Sequence, residues 1–243
     1  MIKAVFFDID NTVCNYDKAH SAAMEKLLEY GKTELCIDSV KMQHLLSEAQ
    51  KIILGRLGQY SAVIHNRLVR FQCFLELMHY HDFTKALKME HIYWNVFLKN
   101  IIPEPGLYQL LQALRAAGML TGIGSDQSSC IQYQKLETLG ILDCFSCIVT
   151  SEEAGAEKPD SRFFKLCVEK AGCLAEECVF IGDNIKKDVE GALQNGLHGV
   201  WYYPGQPGNK KCIYPVIHSY TDCLGEDGIQ LGADIINLQN RRI

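Results

Sequence analysis

Two aspartates stand two positions apart directly after the first apolar stretch of the chain. Residues 2–7 read Ile-Lys-Ala-Val-Phe-Phe, and Asp8 and Asp10 follow them. Such a short run rich in β-forming residues predicts a strand buried on both faces of a parallel sheet. Side chains two apart on a strand point to the same side, so both carboxyl groups should face one place at its carboxyl end, where open α/β sheets bind ligands. Carboxylates crowded in this way repel each other unless a cation or a shared proton compensates them.

A second pair of aspartates follows a later apolar stretch. Asp183 comes directly after Gly182 at the end of residues 179–181, and Asp188 lies five positions further on. If this stretch forms a strand beside the first one, three or four carboxylates converge without histidine or cysteine partners, and oxygen ligands of this kind suit Mg²⁺ best. For Asp188, a role as helix N-cap is an equally simple interpretation.

Three further residues could bind an anion. Ser125 and Asp126 follow the apolar residues 119–123 and open a predicted helix, whose free backbone N–H groups together with a hydroxyl would hold a phosphate. Either Asp126 or Ser128 could instead simply cap that helix. Lys158, in Lys-Pro-Asp at the start of the next predicted helix, would be an ordinary surface lysine if it stood alone.

The elements that must position these residues fall into two patterns. From about residue 105 onward, amphipathic helices that end at glycine alternate with apolar strands, which predicts an α/β fold with a Rossmann-like parallel sheet. Residues 16–100 show no strand and carry helical apolar stripes, the strongest being Ile64, Leu68, Phe71, Leu75 and Met78. We therefore predict a catalytic core from residues 1–15 and 101–243, interrupted by an all-helical insertion over residues 16–100.

Composition excludes several classes of protein. The 243 residues are 48% hydrophobic and carry a formal charge of −5, which argues against binding to a nucleic-acid polymer. No apolar run approaches the roughly 20 residues of a membrane helix, so no membrane association is expected. The 11 scattered cysteines indicate reduced thiols in a cytoplasmic protein rather than a disulfide framework, with Cys144 and Cys147 as the one Cys-x-x-Cys pair.

Four motifs in a fixed order resemble those of the haloacid dehalogenase-like (HAD) hydrolase superfamily. They are Asp-x-Asp-x-Thr at positions 8–12, Ser125 at a strand end, Lys158-Pro159, and Gly182-Asp183 with Asp188. The helical insertion after the first motif is similar to the C1 cap of that superfamily. Each motif is weak alone, and their order over most of the chain makes the joint signal strong.

The resemblance implies a role for each residue. Asp8 would be the nucleophile, and Asp10 would protonate the leaving alkoxide and later take a proton from water. Phosphoryl oxygens would be held by Ser125, Lys158 and the backbone N–H of Asp126. Magnesium would be bound by Asp8, by the main-chain carbonyl of Asp10 and by Asp183, while Asp188 would either ligate it or orient Lys158. Asn11 and Thr12 would shape the turn after the strand.

Asp10 also separates branches of the superfamily. An alkoxide leaving group needs a proton and a halide does not, so this residue favours phosphate esters over haloacids. We expect a magnesium-dependent phosphatase of a small phosphorylated metabolite, such as a sugar phosphate or nucleoside monophosphate, acting as a monomer or homodimer. A phosphomutase of the same fold and a non-catalytic binder of phosphorylated ligands are the alternatives.

One residue departs from the usual pattern. The resembling family usually has asparagine where this chain has Asp126. A carboxylate near a phosphate dianion is unfavourable at close range. We therefore expect the Asp126 side chain to turn away, either capping the helix or accepting a hydrogen bond from a substrate hydroxyl.

Overall fold

The first strand of the chain, β1 (Ala4–Phe7), lies inside a six-stranded sheet. The other strands are β2 (Leu120–Ser125), β3 (Cys147–Thr150), β4 (Cys178–Gly182), β5 (His198–Tyr202) and β6 (Val216–Ile217). Their order is β3-β2-β1-β4-β5-β6, and every neighbouring pair is parallel. The predicted α/β class with a Rossmann-like parallel sheet is confirmed.

The structure is a computed structural model, and it describes residues 1–58, 61–205, 213–225 and 228–231. These residues divide into two compact units. One consists of Met1–Asn15 together with the described residues from Ile102 onward, and the other is Tyr16–Ile101. We call them the α/β unit and the helical unit; sequence alone placed the end of the insertion at residue 100.

Helices connect the strands of the α/β unit. They are α5 (Leu107–Ala116), α6 (Ser129–Thr138), α7 (Ser151–Ala154), α8 (Ser161–Ala171) and α9 (Gly191–Gln194). Before α9 the chain forms one wide π-helical turn over Ile185–Glu190. The helix expected from residue 188 to 195 is therefore two shorter segments. The Asn184 side chain accepts hydrogen bonds from the backbone of Lys186 and Lys187, which starts the π turn before Asp188.

Aromatic side chains fill one face of the sheet. Phe6 of β1 stacks on Phe180 of β4 with ring centroids 6.4 Å apart, and Phe163 and Phe164 of α8 pack against Phe180. Gly124 of β2 makes room for them, because a Cβ atom there would lie 2.6 Å from the Phe180 ring. This glycine therefore serves packing directly before Ser125.

Four helices form the helical unit: α1 (Tyr16–Glu34), α2 (Ser39–Leu57), α3 (Arg67–Leu77) and α4 (Thr84–Asn100). One interpretation of the sequence was wrong. The stripe that begins at Ile64 is not one helix, because Ile64 lies in a separate 3₁₀ turn, Ala62–His65. Asn66 then starts α3 by accepting a hydrogen bond from the backbone N–H of Val69 at 3.2 Å.

The two chain segments that border the helical unit are hydrogen-bonded to each other. The backbone N–H of Asn15 donates to the carbonyl of Ile102 at 3.3 Å, and the Asn15 side-chain oxygen accepts from the N–H of Ile102 at 3.1 Å. Glu104 donates to the carbonyl of Val13 at 2.9 Å. The segments of the α/β unit before and after the insertion are thus joined directly by hydrogen bonds.

Two further observations concern the described part of the chain. All ten cysteines within it are free, including Cys144 and Cys147; Cys212 lies outside the described residues. No helix there is both long and apolar enough to cross a lipid bilayer.

Candidate active site

Three aspartates meet where β1 and β4 end. These strands are adjacent, with Phe7 opposite Ile181, and the backbone N–H of Asp8 donates to the carbonyl of Ile181 at 2.9 Å. One carboxylate oxygen each from Asp8, Asp183 and Asp188 lie within 4.8 Å of one another. The structure therefore brings together residues that are 175 positions apart (183 − 8) in the sequence.

A buried lysine joins two of these carboxylates. The Nζ atom of Lys158 lies 2.8 Å from Oδ1 of Asp8 and 2.7 Å from Oδ1 of Asp188, and it donates to the carbonyl of Gly124 at 3.1 Å. Burial would lower the pKa of Lys158, but Asp188 and Asp8 outweigh burial and raise it well above its usual value. Lys158 is therefore a fixed positive charge.

One lysine does not neutralise the whole acidic cluster. Burial, followed by the charges of Asp8 and Asp188, raises the pKa of Asp183 to about 7. Three carboxylates converge here against one ammonium group, so negative charge is in excess. An additional cation would relieve that excess, and the oxygen ligands suit a hard divalent ion.

Asp10 sits beside this cluster and has its own lysine. Its Oδ1 atom accepts a hydrogen bond from Nζ of Lys135 at 2.6 Å. Lys135 belongs to helix α6, and its side chain is fully buried. The Asp10 side chain is 30% exposed to solvent, whereas the Asp8 side chain is 11% exposed. Burial is the largest influence on the pKa of Asp10 and raises it, while Lys135 lowers it and Asp8 raises it further.

Sequence reasoning missed Lys135. It follows Gln132 by three positions and precedes Leu136, and all three side chains are fully buried. That spacing places them on one face of α6. A lysine on the buried face of α6, the first helix after β2, is a signal that could have found it.

The turn after β1 holds Asp10 in place. Asn11 has a positive φ of 56°, in the left-handed region that asparagine tolerates better than most residues. The backbone N–H groups of Thr12 and Val13 both donate to the carbonyl of Ile9, at 3.2 and 2.8 Å. The hydroxyl of Tyr220 donates to the carbonyl of Thr12 at 3.0 Å. Asn11 and Thr12 lie in the turn where the sequence placed them.

Ser125 ends β2 at the same edge of the sheet. Its side chain is buried, and its Oγ atom accepts a hydrogen bond from Nε2 of Gln132 at 2.8 Å. The Ser125 hydroxyl in turn donates to the main-chain carbonyl of Asp126 at 3.5 Å. Gln132, which sequence reasoning also missed, therefore orients Ser125.

The Asp126 side chain binds the loop before α8. Its Oδ1 atom accepts from the backbone N–H of Lys158 at 3.0 Å, and its Oδ2 atom accepts from Nζ of Lys187 at 2.8 Å. Of the two residues considered as the cap of α6, Ser128 is the N-cap, and the alternative of Asp126 is wrong because its side chain contacts Lys158 instead. Asp126 positions the backbone of Lys158, and Lys187 compensates its charge.

Comparison with known proteins places this site in a family. The sequence model described as haloacid dehalogenase-like hydrolase matches residues 2–196. The chain belongs to the haloacid dehalogenase-like hydrolase family. The resemblance carried by the four motifs is thereby confirmed.

Similar proteins cover most of this haloacid dehalogenase-like hydrolase. It is 30% identical over 214 residues to the ribulose-1,5-bisphosphate 5-phosphatase of Halopiger xanaduensis, covering 85% of this chain and 87% of that protein. It is 29% identical over 211 residues to the glyceraldehyde 3-phosphate phosphatase of Methanocaldococcus jannaschii, covering 81% and 83%. Among solved structures, a HAD phosphatase from Thermococcus onnurineus matches with a TM-score of 0.67 and 26% identity, covering 91% of this chain and 95% of that one.

The site of this haloacid dehalogenase-like hydrolase thus has four parts. One carboxylate, Asp8, is held by a buried ammonium group. A second, Asp10, lies beside it and is more open to solvent. Ser125 places a hydroxyl and Lys158 a positive charge at the same edge of the sheet. Asp183 and Asp188 complete an acidic cluster able to hold a divalent cation.

Proposed function

We propose that this chain is a magnesium-dependent phosphatase that hydrolyses small phosphomonoesters through a phosphorylated Asp8. The observation that carries the proposal is the arrangement of Asp8 on Lys158 with the more open Asp10 beside it. The similar proteins named as phosphatases of phosphorylated sugars support it, and they favour a sugar phosphate as substrate. The free cysteines of the described residues support a reducing compartment such as the cytoplasm.

Asp8 would begin the reaction. Lys158 occupies Oδ1 of Asp8, so Oδ2 is the oxygen we assign to attack on phosphorus. A bond forms between Oδ2 and phosphorus while the ester P–O bond breaks, and the leaving alkoxide takes a proton from Asp10. Ser125 would redirect its hydroxyl from the Asp126 carbonyl to a phosphoryl oxygen. The positive charge of Lys158 would offset the negative charge that spreads over the phosphoryl oxygens.

Asp10 would act a second time in the hydrolytic step. It accepts a proton from water as the water oxygen attacks phosphorus, and the bond between phosphorus and Asp8 breaks. Inorganic phosphate leaves, Asp8 is again a carboxylate and Asp10 again carries a proton. Lys135 would hold the Asp10 carboxyl in the orientation that both transfers require.

The residues at the site fit Mg²⁺, since their oxygens converge and their negative charge exceeds that of Lys158. Asp8, Asp183 and the main-chain carbonyl of Asp10 would hold it. Both oxygens of Asp188 already have protein partners, Lys158 and the backbone N–H of Asn184, which favours orienting Lys158 over ligating the metal. When bound, the ion would neutralise charge between Asp8 and the transferring phosphoryl group.

The test is phosphate release from a panel of phosphorylated metabolites, measured with Mg²⁺, with a chelator, and with Mg²⁺ restored after the chelator. We expect release from monophosphates without any bisphosphate primer, loss with the chelator and recovery on restoring the metal. Asp8→Asn should lower kcat by at least about ten-thousand-fold because the nucleophile is gone.

Two results would overturn the proposal. Isomerisation of a sugar monophosphate that requires a bisphosphate primer, without net release of phosphate, would identify a mutase. Phosphorylated ligands that bind without any release, at every metal concentration, would identify a non-catalytic binder.

A further inference from the structure

Tyr220 is far along the chain from the strand that carries Asp8, yet it packs beside that strand. It begins a 3₁₀ turn, Tyr220–Cys223, after β6, and lies beyond residues 2–196, which match the family model. Its side chain is fully buried, and its hydroxyl donates to the main-chain carbonyl of Thr12 at 3.0 Å across 208 positions of sequence. The segment after β6 therefore reaches the turn that follows β1.

The Tyr220 side chain contacts both ends of the stretch that carries Asp8 and Asp10. Its ring packs edge-on against Phe7, the residue before Asp8, with ring centroids 6.1 Å apart. Its hydroxyl binds Thr12, two residues after Asp10. Because the aromatic ring is rigid, a shift of the turn relative to β1 would break one of these two contacts.

Neighbouring residues in turn hold Tyr220 in place. Tyr202, at the end of β5, stacks on its ring with centroids 4.5 Å apart, and the hydroxyl of Tyr202 donates to Oε2 of Glu104 at 2.7 Å. Gly106 approaches the backbone next to Tyr220 closely, because a Cβ atom there would lie 2.5 Å from the nitrogen of Thr221. Close packing on these sides leaves the Tyr220 ring little freedom to move.

The hydrogen bond from Tyr220 to Thr12 is buried, and its donor stays protonated. Burial is the first cause that raises the pKa of Tyr220 well above its usual value, and Tyr202 is the second. A buried carbonyl that loses its donor keeps the cost of its desolvation. Loss of this hydroxyl should therefore be felt at the turn.

Packing alone explains the ring of this tyrosine but not its hydroxyl. A phenylalanine would fill the same space against Phe7 and Tyr202 without burying a polar atom. The hydroxyl instead binds the carbonyl of Thr12, in the turn whose N–H groups donate to the carbonyl of Ile9. The hydrogen bond thus acts on the turn that holds Asp10.

We propose that Tyr220 is a positioning residue for the reaction, which fixes Asp10 through the turn at Thr12. The proposal rests on the proposed phosphatase function and goes beyond it, because it gives the segment of residues 213–225 a part in the site. Tyr220 acts through the turn, so its loss should mainly affect the proton transfers of Asp10 and less the binding of substrate.

The experiment compares Tyr220→Phe with the wild-type protein on two esters. One is the best alkyl phosphate of the metabolite panel, whose leaving alkoxide needs the proton from Asp10, and the other is p-nitrophenyl phosphate, whose leaving group does not. Tyr220→Phe should lower kcat for the alkyl phosphate about three- to tenfold and kcat for p-nitrophenyl phosphate by less than about twofold. KM should stay the same for both esters.

Tyr202→Phe is the matched control, because it removes a hydroxyl from the other ring of the same stacked pair. That hydroxyl binds Glu104 and not the turn. Urea denaturation should show that both variants fold and that each is less stable than the wild-type protein. The ratio of the two kcat values should change in Tyr220→Phe and stay at the wild-type value in Tyr202→Phe.

A changed ratio in Tyr220→Phe alone supports the proposal. An unchanged ratio, or the same change in both variants, would show that the hydroxyl serves stability only and would overturn the proposal. A Tyr220→Phe protein that does not fold would overturn it in the same way. Absence of phosphate release from every ester by the wild-type protein would instead overturn the proposed function.

Discussion

The α/β unit and the helical unit treat buried charge in opposite ways. In the α/β unit each buried lysine of the site contacts a carboxylate: Lys158 contacts Asp8 and Asp188, and Lys135 contacts Asp10. In the helical unit Arg67 and Arg70 have no carboxylate partner among the described residues. Charges that are paired internally fix the geometry of reacting groups in advance. Arg67 is stabilised instead by the Tyr93 ring and the hydroxyl of Tyr16.

The largest effect should come from breaking the central pairing of the α/β unit. Lys158→Met leaves Asp8 and Asp188 buried without their cation, so we expect the free energy of unfolding to fall by about 3–5 kcal/mol. Turnover should fall at least about a thousandfold, because the positive charge that would offset the phosphoryl oxygens is also lost. Urea denaturation and steady-state kinetics measure the two effects. Lys165→Met, at an exposed position of α8, is the matched control, and equal behaviour of the two variants would show that the pairing is unimportant.

A second test adds the same methyl group to each unit. In Gly182→Ala the new Cβ atom would overlap the Asp188 carboxyl group and push it away from Lys158 and from the N–H of Asn184. We expect kcat to fall about a hundredfold, since small displacements of positioning groups have effects of this size. In Gly55→Ala, within α2, the new methyl group meets no atom within 4 Å and should stabilise the helix by up to about 1 kcal/mol. Wild-type kinetics for Gly182→Ala would contradict the role of Asp188.

Substitution of Lys135 tests the ion pair between Lys135 and Asp10. Lys135→Met should reduce hydrolysis of an alkyl phosphate about tenfold to a hundredfold more than hydrolysis of p-nitrophenyl phosphate, because only the alkoxide needs the proton from Asp10. The ratio of the two kcat values is the measurement. A merely structural role of Lys135 predicts equal losses for both substrates.

The smallest effect concerns His20 of the helical unit. Its pKa falls from 6.5 to about 4 in the folded state, so between these values the unfolded chain binds a proton that the folded chain does not. Stability is therefore complete above about pH 6.5 and decreases as the pH falls towards 4. Allowing for the partial exposure of the ring, we expect a loss of roughly 1–2 kcal/mol. Denaturation at several pH values should show a smaller loss for His20→Gln than for the wild-type protein. The exposed His44→Gln should behave as the wild type does, and the same pH slope in His20→Gln would refute the assignment.

Local sequence patterns were enough to predict the sheet and the acidic groups of the site. The apolar stretch before Asp8 predicts β1 and identifies the end of that strand at which functional residues lie. Side chains two apart on a strand share a side, and the carboxyl ends of parallel strands lie at the same edge of the sheet. The same argument applies to Asp183 after β4.

Local sequence patterns could not predict the contacts that hold the site residues in position. The pairing of Lys135 with Asp10 spans 125 positions, and that of Asp126 with the backbone of Lys158 spans 32. Such contacts depend on how α6 and the loop before α8 pack on the sheet, which no local spacing encodes. The break between Ile64 and α3 was missed because a capping asparagine interrupts an apolar stripe whose periodicity continues through it.

The closed junction at Asn15 and Ile102 has a consequence for the history of the protein. The two segments of the α/β unit that border the insertion are hydrogen-bonded to each other. Lengthening or replacing the inserted stretch therefore adds little entropy cost to folding of the α/β unit. Natural variation can therefore rebuild the inserted module, with its arginine pair, while the inherited chemistry at the strand ends stays constant. The junction thus uncouples changes in the inserted module from the folding of the α/β unit.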